Sequence, residues 1–237
     1  MPNPKPQLIL LPGLACDASL YAGVLPAMPP ALRPMVVDVH GRFASVEAMA
    51  AALLAEQSGD LILCGASMGG IIAMEVVRQA PERIKGLVLL GTNARPETDA
   101  MRTLREGVIP LFEAGRAAEV LQFNLPLAFH PDNAKNKVLT QSYLSMVLRA
   151  GGPQLIAQNR AIMARPDARL HLTQVRCPAL VLCGDSDQLT PPECAREIAA
   201  LIEDSWLCII AQSGHMLTME QPESVNISIL NFLEKFA

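Results

Sequence analysis

The sequence has few aromatic residues and little net charge. Of its 237 residues only 4% are aromatic, whereas 51% are apolar, so we expect an aliphatic, methionine-rich core. A formal net charge of −4 and an isoelectric point near 5.6 argue against nucleic acid or an anionic membrane as a partner. No apolar stretch approaches the length needed to cross a bilayer. We therefore expect a soluble, cytoplasmic protein.

Two further features are missing from the sequence. No secretory leader is predicted, because the first apolar run, Leu8 to Leu11, is only four residues long. The six cysteines form no Cys-x-x-Cys pair and have no histidine at metal-ligand spacing. Cys64, Cys183 and Cys208 lie inside strand-like runs, where cysteine behaves as a small apolar residue. The sequence therefore predicts no disulfide framework, no metal site and no cofactor.

The most informative motif is the pentapeptide from Gly65 to Gly69, which has Ser67 at its centre. It follows the apolar run 61–64 and precedes a helix-like stretch that begins near Met68. Strand, tight turn and helix are the setting of a nucleophilic serine. Glycines leave room where the turn brings strand and helix together, and the helix directs free N–H groups toward developing negative charge. The motif predicts a nucleophile at Ser67; an ordinary turn serine is the alternative.

A nucleophilic serine needs a base and an acid that orients the base. Of the four histidines, His215 follows the apolar run 206–211 and lies at the C-terminal end of a predicted strand. Open α/β sheets bind their ligands at that edge. The apolar run 179–183 leads to the same edge and is followed by Asp185 and Asp187. By position alone, either aspartate is a candidate for the acid.

The alternation of predicted elements indicates an α/β domain with a doubly wound, mostly parallel, six-stranded sheet. Strands are predicted at about 7–12, 34–39, 60–66, 85–91, 178–184 and 206–211, and helices between them include 45–58, 68–80, 191–202 and 222–236. Between about 96 and 170 only helices are predicted: Asp99 to Ala114, Arg116 to Phe123, Asp132 to Ala150 and Pro153 to Ala164. We therefore expect a core of residues 1–96 and 170–237 and a helical cap of residues 97–169.

Four segments make the sequence resemble the α/β-hydrolase fold superfamily. They are Leu11-Pro12-Gly13-Leu14, Gly65 to Gly70, Gly184 to Pro192, and Gly214-His215 with the following Glu220 to Glu223. The serine, aspartate and histidine follow one another in the order that this fold uses. The sequence resembles most the small capped serine hydrolases, which include carboxylesterases, enol-lactonases and carbon–carbon bond hydrolases.

This resemblance implies a catalytic triad of Ser67, Asp187 and His215. Asp187 is preferred to Asp185 because the family's acid lies three residues after the glycine. The resemblance also implies an oxyanion hole formed by the backbone N–H groups of Leu14 and Met68. The family's loop usually begins His-Gly, whereas this chain has Pro-Gly, so the side-chain contacts of the loop must differ.

The implied function is hydrolysis of a carboxylic ester with a small or medium acyl group, through an acyl-enzyme on Ser67. The alternatives are an enol-lactonase or carbon–carbon hydrolase with the same triad, or a ligand-binding protein with little turnover. The partner is a small ester or lactone, and the chain is expected to be a monomer or homodimer. Arg95 or Arg160 could hold a substrate carboxylate. Phe123 and Tyr143 are candidates for an apolar pocket lining.

Three other polar residues are given structural interpretations. Thr190, which precedes two prolines and has Glu193 three positions later, is interpreted as a helix cap. His40 and His171 are interpreted as surface or loop residues.

Overall fold

The computed structural model describes residues 5–236 and contains one sheet of six parallel strands. The remaining residues of the predicted core, 1–4 and 237, lie outside the described residues. The strands follow the order β2-β1-β3-β4-β5-β6 across the sheet, and each adjacent pair is parallel. Their bounds are β1 Gln7–Leu11, β2 Met35–Val36, β3 Leu61–Ala66, β4 Ile84–Leu90, β5 Ala179–Gly184 and β6 Ser205–Ile210. The predicted doubly wound α/β fold is confirmed.

The second strand is shorter than the sequence pattern predicted. It pairs with β1 through only two residues, Met35 with Ile9 and Val36 with Leu10. Because β2 is an edge strand, nothing on its outer side extends the pairing, and the chain turns at Asp38 into a short helix. The predicted strand over 34–39 is therefore wrong in its length.

Helices cover both faces of the sheet, and the apolar strands explain why. Successive residues of β1 alternate between two apolar clusters: Leu8 and Leu10 face one side, whereas Ile9 and Leu11 face the other. A parallel strand buried on both faces has an unbroken apolar sequence, which is the pattern that β1, β3 and β5 show. The sheet therefore lies between two helical layers.

The helices are bounded as follows: α1 Val39–Arg42, α2 Val46–Glu56, α3 Met68–Gln79, α4 Asp99–Glu113, α5 Ala117–Ala128, α6 Lys137–Arg149, α7 Gly151–Met163, α8 Arg169–Leu172, α9 Pro192–Leu201, α10 Leu217–Glu220 and α11 Pro222–Leu233. None of the helices within residues 5–236 combines the length and apolar character needed to cross a membrane.

Helices α4 to α8 form an insertion between β4 and β5, where the sequence predicted helices without strands. Two of the predicted bounds are wrong. Helix α5 continues past Phe123 and through Pro126 to Ala128, since a proline near a helix end removes few backbone hydrogen bonds. Helix α6 begins at Lys137 rather than Asp132, because the Asn136 side chain accepts the N–H groups of the first turn.

The strand order determines where a site can form. From β1 the chain moves to β2 on one side, and β3 then lies on the other side of β1. A crevice opens at such a switch point, outside the C-terminal ends of the two central strands. The loop after β1 and the turn that carries Ser67 after β3 both lie at this edge.

The turn after β3 leaves no space for a side chain at its glycines. A Cβ placed on Gly65 would lie 2.3 Å from the carbonyl oxygen of Gly69. One placed on Gly69 would lie 2.0 Å from the carbonyl oxygen of Leu11. Both contacts are with backbone, which cannot move aside as a side chain can. Strand, turn and helix therefore require glycine at these two positions.

We expect the substitution Gly65→Ala to lower the free energy of unfolding by at least about 2 kcal/mol, because the added methyl group overlaps backbone atoms. The matched control is Gly107→Ala in α4, where, apart from the helix's own neighbouring backbone, nothing lies within 4 Å of the added Cβ. That substitution should raise the free energy of unfolding by about 0.5–1 kcal/mol through helix propensity. Urea unfolding measures both, and equal stabilities of the two variants would contradict this account of the turn.

Candidate active site

Ser67 lies between the last residue of β3 and the first residue of α3, in a strained backbone conformation. Its φ of 51° and ψ of −114° are uncommon for a residue with a side chain. Its N–H donates to the carbonyl oxygen of Leu90 at 2.8 Å, and its own carbonyl oxygen accepts the Thr92 hydroxyl at 2.7 Å. Hydrogen bonds from the neighbouring strand and the residues after it therefore hold the strained residue in place.

Asp187 and His215 are in direct contact. The Nδ1 atom of His215 lies 2.8 Å from Oδ2 of Asp187, and both residues are buried, at 7% and 3% exposure. The other carboxylate oxygen, Oδ1, accepts the backbone N–H groups of Leu189 and Thr190, each at 2.9 Å. The carboxylate is therefore fixed, and it orients the imidazole.

Burial and charge act in opposite directions on the pKa values of this pair. Burial alone lowers the pKa of His215, but the charge and hydrogen bond of Asp187 outweigh it and raise that pKa above its usual value. Burial likewise raises the pKa of Asp187, yet His215 and the hydrogen bonds of Thr190 bring that pKa below its usual range. The carboxylate therefore stays charged and favours the protonated imidazole.

Gly91 adjoins the Asp187–His215 pair and directly follows the strand residue that bonds to Ser67. A Cβ placed on Gly91 would lie 3.2 Å from Oδ2 of Asp187 and 3.4 Å from Nδ1 of His215. Gly91 directly follows Leu90, whose carbonyl oxygen holds the N–H of Ser67. Among the described residues the Ser67 hydroxyl makes no hydrogen bond to His215. The structure thus places Asp187 and His215 in contact with each other and beside Gly91, which follows the residue that bonds to Ser67.

The two N–H groups of the expected oxyanion hole belong to segments that adjoin Ser67. Met68 is the first residue of α3, and its N–H has no acceptor within residues 5–236. The N–H of Leu14 is also unpaired within that range. The loop before Leu14 contacts the serine closely, since a Cβ placed on Gly13 would lie 3.3 Å from Cβ of Ser67. Both donors are therefore available beside Ser67.

The second candidate acid, Asp185, has a different position. Its carboxylate accepts the N–H groups of Gln212 and Ser213 at 3.0 and 3.2 Å. It thereby connects the loop after β5 to the loop that precedes His215. The geometry favours Asp187 as the partner of His215 and assigns Asp185 to holding the loop.

The interpretation of Thr190 as a helix cap is wrong. Helix α9 begins at Pro192, and Pro191, its capping residue, makes no side-chain cap. The Thr190 hydroxyl instead lies 2.9 Å from Oδ2 of Asp187 and 3.2 Å from Nδ1 of His215. The hydroxyl can turn to donate to the carboxylate, so Thr190 belongs to the Asp187–His215 pair.

The interpretations of His40 and His171 as surface or loop residues are also wrong. His40 is only 3% exposed and lies on α1, with Nε2 2.8 Å from the carbonyl oxygen of Cys16. His171 lies on α8 and is half-buried, with Nε2 3.2 Å from the carbonyl oxygen of Met74. Both histidines connect elements of the core, which their isolated positions in the sequence could not indicate.

The sequence analysis assigned no role to two further residues near the site. The Gln158 side chain, on α7, contacts the loop after β1. The Glu220 carboxylate accepts the N–H groups of Gly214 and His130, each at 2.8 Å, and the side-chain amide of Asn133 at 2.9 Å. Glu220 thereby ties the loop that carries His215 to the insertion.

The four residues expected to bind substrate differ in their exposure and in their partners. The Arg95 guanidinium is half-exposed and paired with Glu197 at 2.7 Å, which is an ordinary surface ion pair. Phe123 is 82% exposed, which does not fit an enclosed apolar lining. Tyr143 is buried and packs edge-on against Phe129 at 5.2 Å between ring centroids. Arg160 is exposed on α7.

A family model described as Hydrolase_4 (serine aminopeptidase, S33) matches residues 30–222, which is most of the chain. The chain belongs to this family. The protein is therefore a hydrolase with the α/β-hydrolase fold, and the resemblance indicated by its sequence motifs is confirmed.

The chain is similar to several characterised relatives. It is 27% identical to a pimeloyl-[acyl-carrier protein] methyl ester esterase of Aromatoleum aromaticum, over 95% of this chain and 97% of the relative. A thermophilic esterase from Thermogutta terrifontis superposes with a TM-score of 0.88 and 25% identity, over 99% of this chain and 91% of the esterase. The enol-lactonase of Burkholderia xenovorans LB400 shares the fold, with a TM-score of 0.87, 21% identity, and coverage of 97% and 92%.

We expect His215 to hold its proton to a higher pH than His40 and His171, because Asp187 raises its pKa while burial lowers the pKa of the other two. NMR titration of the histidine ring protons, assigned with a His215→Gln variant, measures this order. In Asp187→Asn the pKa of His215 should fall, since burial is then opposed only by the charge of Glu220. A His215 pKa that is unchanged in Asp187→Asn would contradict the pairing.

Proposed function

We propose that this protein hydrolyses carboxylic esters of small or medium acyl groups through an acyl-enzyme on Ser67. The observation that carries the proposal is the buried 2.8 Å contact between Asp187 and His215, at the same edge of the sheet as a serine in a strained turn. A fixed carboxylate, an imidazole and a nearby hydroxyl are the groups that nucleophilic acyl transfer requires.

In this mechanism the Ser67 Oγ attacks the ester carbonyl carbon while Nε2 of His215 accepts the hydroxyl proton. Asp187 holds the tautomer in which Nδ1 carries a proton, and it stabilises the imidazolium that forms. The tetrahedral oxyanion accepts the N–H groups of Leu14 and Met68, which have no other acceptor within residues 5–236. The alkoxide then leaves with the proton from His215.

Deacylation uses the same groups. Water gives a proton to Nε2 of His215 and attacks the acyl carbon, and the second tetrahedral intermediate collapses to release the acid and restore Ser67. The strained backbone at Ser67 keeps the side chain at the tip of the turn in both steps. Every group that the cycle needs is present in the chain.

The relatives support an ester as the substrate. The Aromatoleum aromaticum relative is a methyl ester esterase, and the structural relative from Thermogutta terrifontis is an esterase. The same triad would serve an enol-lactonase or a carbon–carbon hydrolase, so these activities are tested beside it. A ligand-binding protein with little turnover is the remaining alternative.

We further propose that the helical insertion is a lid that shapes the pocket. The end of α5 is attached to the histidine loop, since the carbonyl oxygen of Ala128 accepts the N–H groups of both His215 and Met216. A lid attached at this point is hydrogen-bonded to the loop that carries the proposed base, His215. Arg160, exposed on the last long helix of the insertion, stays a candidate to contact an acidic substrate.

We expect Ser67→Ala to lower kcat for p-nitrophenyl esters by about 10⁴-fold or more, because the nucleophile is lost while the oxyanion donors remain. The series runs from acetate to octanoate, with methyl esters of dicarboxylic acids and an enol-lactone assayed in parallel. Ser224→Ala, an exposed serine on α11, is the control and should retain full activity.

The outcomes separate the alternatives. Saturable ester turnover that is lost only in Ser67→Ala supports the proposal, and the preferred chain length gives the size of the pocket. Turnover of the lactone alone would assign the site to lactone hydrolysis. Equal ester turnover by the wild type and Ser67→Ala would exclude Ser67 as the nucleophile.

We also expect kcat/KM to fall at low pH, because His215 must be neutral to accept the serine proton. Asp187 raises the pKa of His215. The fall in kcat/KM should therefore begin at a higher pH than it would with an unperturbed histidine, whose pKa is about 6.5. The measurement is a pH profile of kcat/KM for one p-nitrophenyl ester. A midpoint clearly below 6.5 would contradict the role of Asp187 as the partner of the base.

A further inference from the structure

Besides Ser67, a second residue with a positive φ lies near the site, in the loop after β1. Ala15 has a φ of 62°, although it has a side chain. Such a conformation is unfavourable by about 1–3 kcal/mol and persists only where surrounding contacts impose it. Within the loop, the Cys16 N–H donates to the carbonyl oxygen of Gly13, which closes a tight turn around Leu14 and Ala15. This turn presents the N–H of Leu14 beside Ser67.

The contact that holds this turn comes from the insertion. Gln158, on α7, is only 1% exposed, and its Oε1 accepts the N–H of Ala15 at 2.8 Å. Its Nε2 donates to the carbonyl oxygen of His40 at 3.0 Å. Because one end of the amide meets a donor and the other meets an acceptor, its orientation is fixed. Gln158 is 143 residues away from Ala15 in the sequence.

His40 completes the connection. Its Nε2 donates to the carbonyl oxygen of Cys16 at 2.8 Å, so the imidazole contacts the same loop from α1. Three hydrogen bonds thus link the loop, α1 and α7, and both side chains that make them are buried. A buried amide that loses its partners is unfavourable, which gives this network a single favoured arrangement.

The loop after β1 is not enclosed on every side. One side of it borders an open cleft of about 270 Å³, lined by Pro12, Cys16, His40, Gln154 and neighbouring residues. Proline at position 12 also has no N–H to contribute to the loop. Ala15 and Cys16 pack in the apolar core, and the hydrogen bonds of Gln158 and His40 are the side-chain contacts that fix the backbone of this loop from α7 and α1.

We propose that Gln158 is a positioning residue of the oxyanion hole and that it acts by fixing Ala15, so that the adjacent N–H of Leu14 points at the developing oxyanion. This inference rests on the proposed serine hydrolysis. It also makes the hole dependent on the insertion: a displacement of α7 that breaks the bond to Ala15 releases the loop. His40 is the second positioning residue, since it holds both Gln158 and the end of the turn.

The test is Gln158→Met, which keeps the length of the side chain and removes both hydrogen bonds. Deleting an oxyanion donor lowers kcat by about 10²–10³-fold, so misplacing one should lower it by about 10- to 100-fold. The KM for a p-nitrophenyl ester should change by less than about 3-fold, because the lost interaction belongs to the transition state. Affinity for an alkyl boronic acid, which forms a tetrahedral adduct on serine, should fall in parallel with kcat.

The matched control is Asn159→Leu. Asn159 is the next residue on α7 and is also buried, at 4% exposure. Its amide donates to the carbonyl oxygen of Leu155 and accepts Arg105, and it makes no hydrogen bond to the loop. This variant loses a comparable buried amide, so it should lose stability similarly while keeping kcat and boronic acid affinity. Active-site titration normalises each rate to folded enzyme.

A second pair of variants tests His40. His40→Gln can place an amide N–H near the position of Nε2 and should retain most of the activity, whereas His40→Leu cannot and should lose about as much kcat as Gln158→Met. A purely structural role for His40 would lower the melting temperature of both variants and leave their normalised kcat equal.

The proposal is overturned if Gln158→Met keeps wild-type kcat and boronic acid affinity, or if Asn159→Leu loses as much of either. These results differ from a failure of the proposed function, in which the wild type itself turns over no ester. If the wild type turns over no ester, the affinity for the boronic acid is the remaining test of the proposal. Equal binding by the wild type and Gln158→Met then rejects the role of Gln158.

Discussion

The hydrogen bond between Asp187 and the His215 imidazole is the interaction on which the site depends. Both groups are buried, where an ionised group without an oppositely charged partner is unfavourable. Together they stabilise each other, while two backbone N–H groups and the Thr190 hydroxyl fix the carboxylate. The parallel sheet makes this possible, because it brings the ends of β5 and β6 to the same edge as the turn after β3.

Two strained residues at this edge are held in place by neighbouring elements. Ser67 and Ala15 both have positive φ values. A hydrogen bond from a residue that follows β4 holds Ser67, and a hydrogen bond from the insertion holds Ala15. Strained residues commonly lie at functional sites, where the energy of folding maintains a geometry that the isolated chain would avoid. Ser67 and the loop that carries Leu14 are thus fixed by different parts of the chain.

Much of the fold and of the site could be predicted from local patterns. Apolar runs of strand length, alternating with helices, indicated the parallel sheet, and the glycines around Ser67 indicated the turn, because each pattern lies within a few residues. Gln158 could not be predicted, since its partner Ala15 is 143 residues away and a lone glutamine on a helix has no distinctive pattern. Thr190 was misinterpreted for a related reason: its spacing suits a helix cap, and only tertiary packing brings it to Asp187.

The central claim is that Ser67 is a nucleophile activated by His215, and labelling with a fluorophosphonate tests it most directly. We expect one phosphonyl group per chain, located on Ser67 by peptide mass spectrometry, absent in Ser67→Ala and strongly slowed in His215→Ala. Unlabelled but folded protein, or an adduct on another residue, would contradict the account.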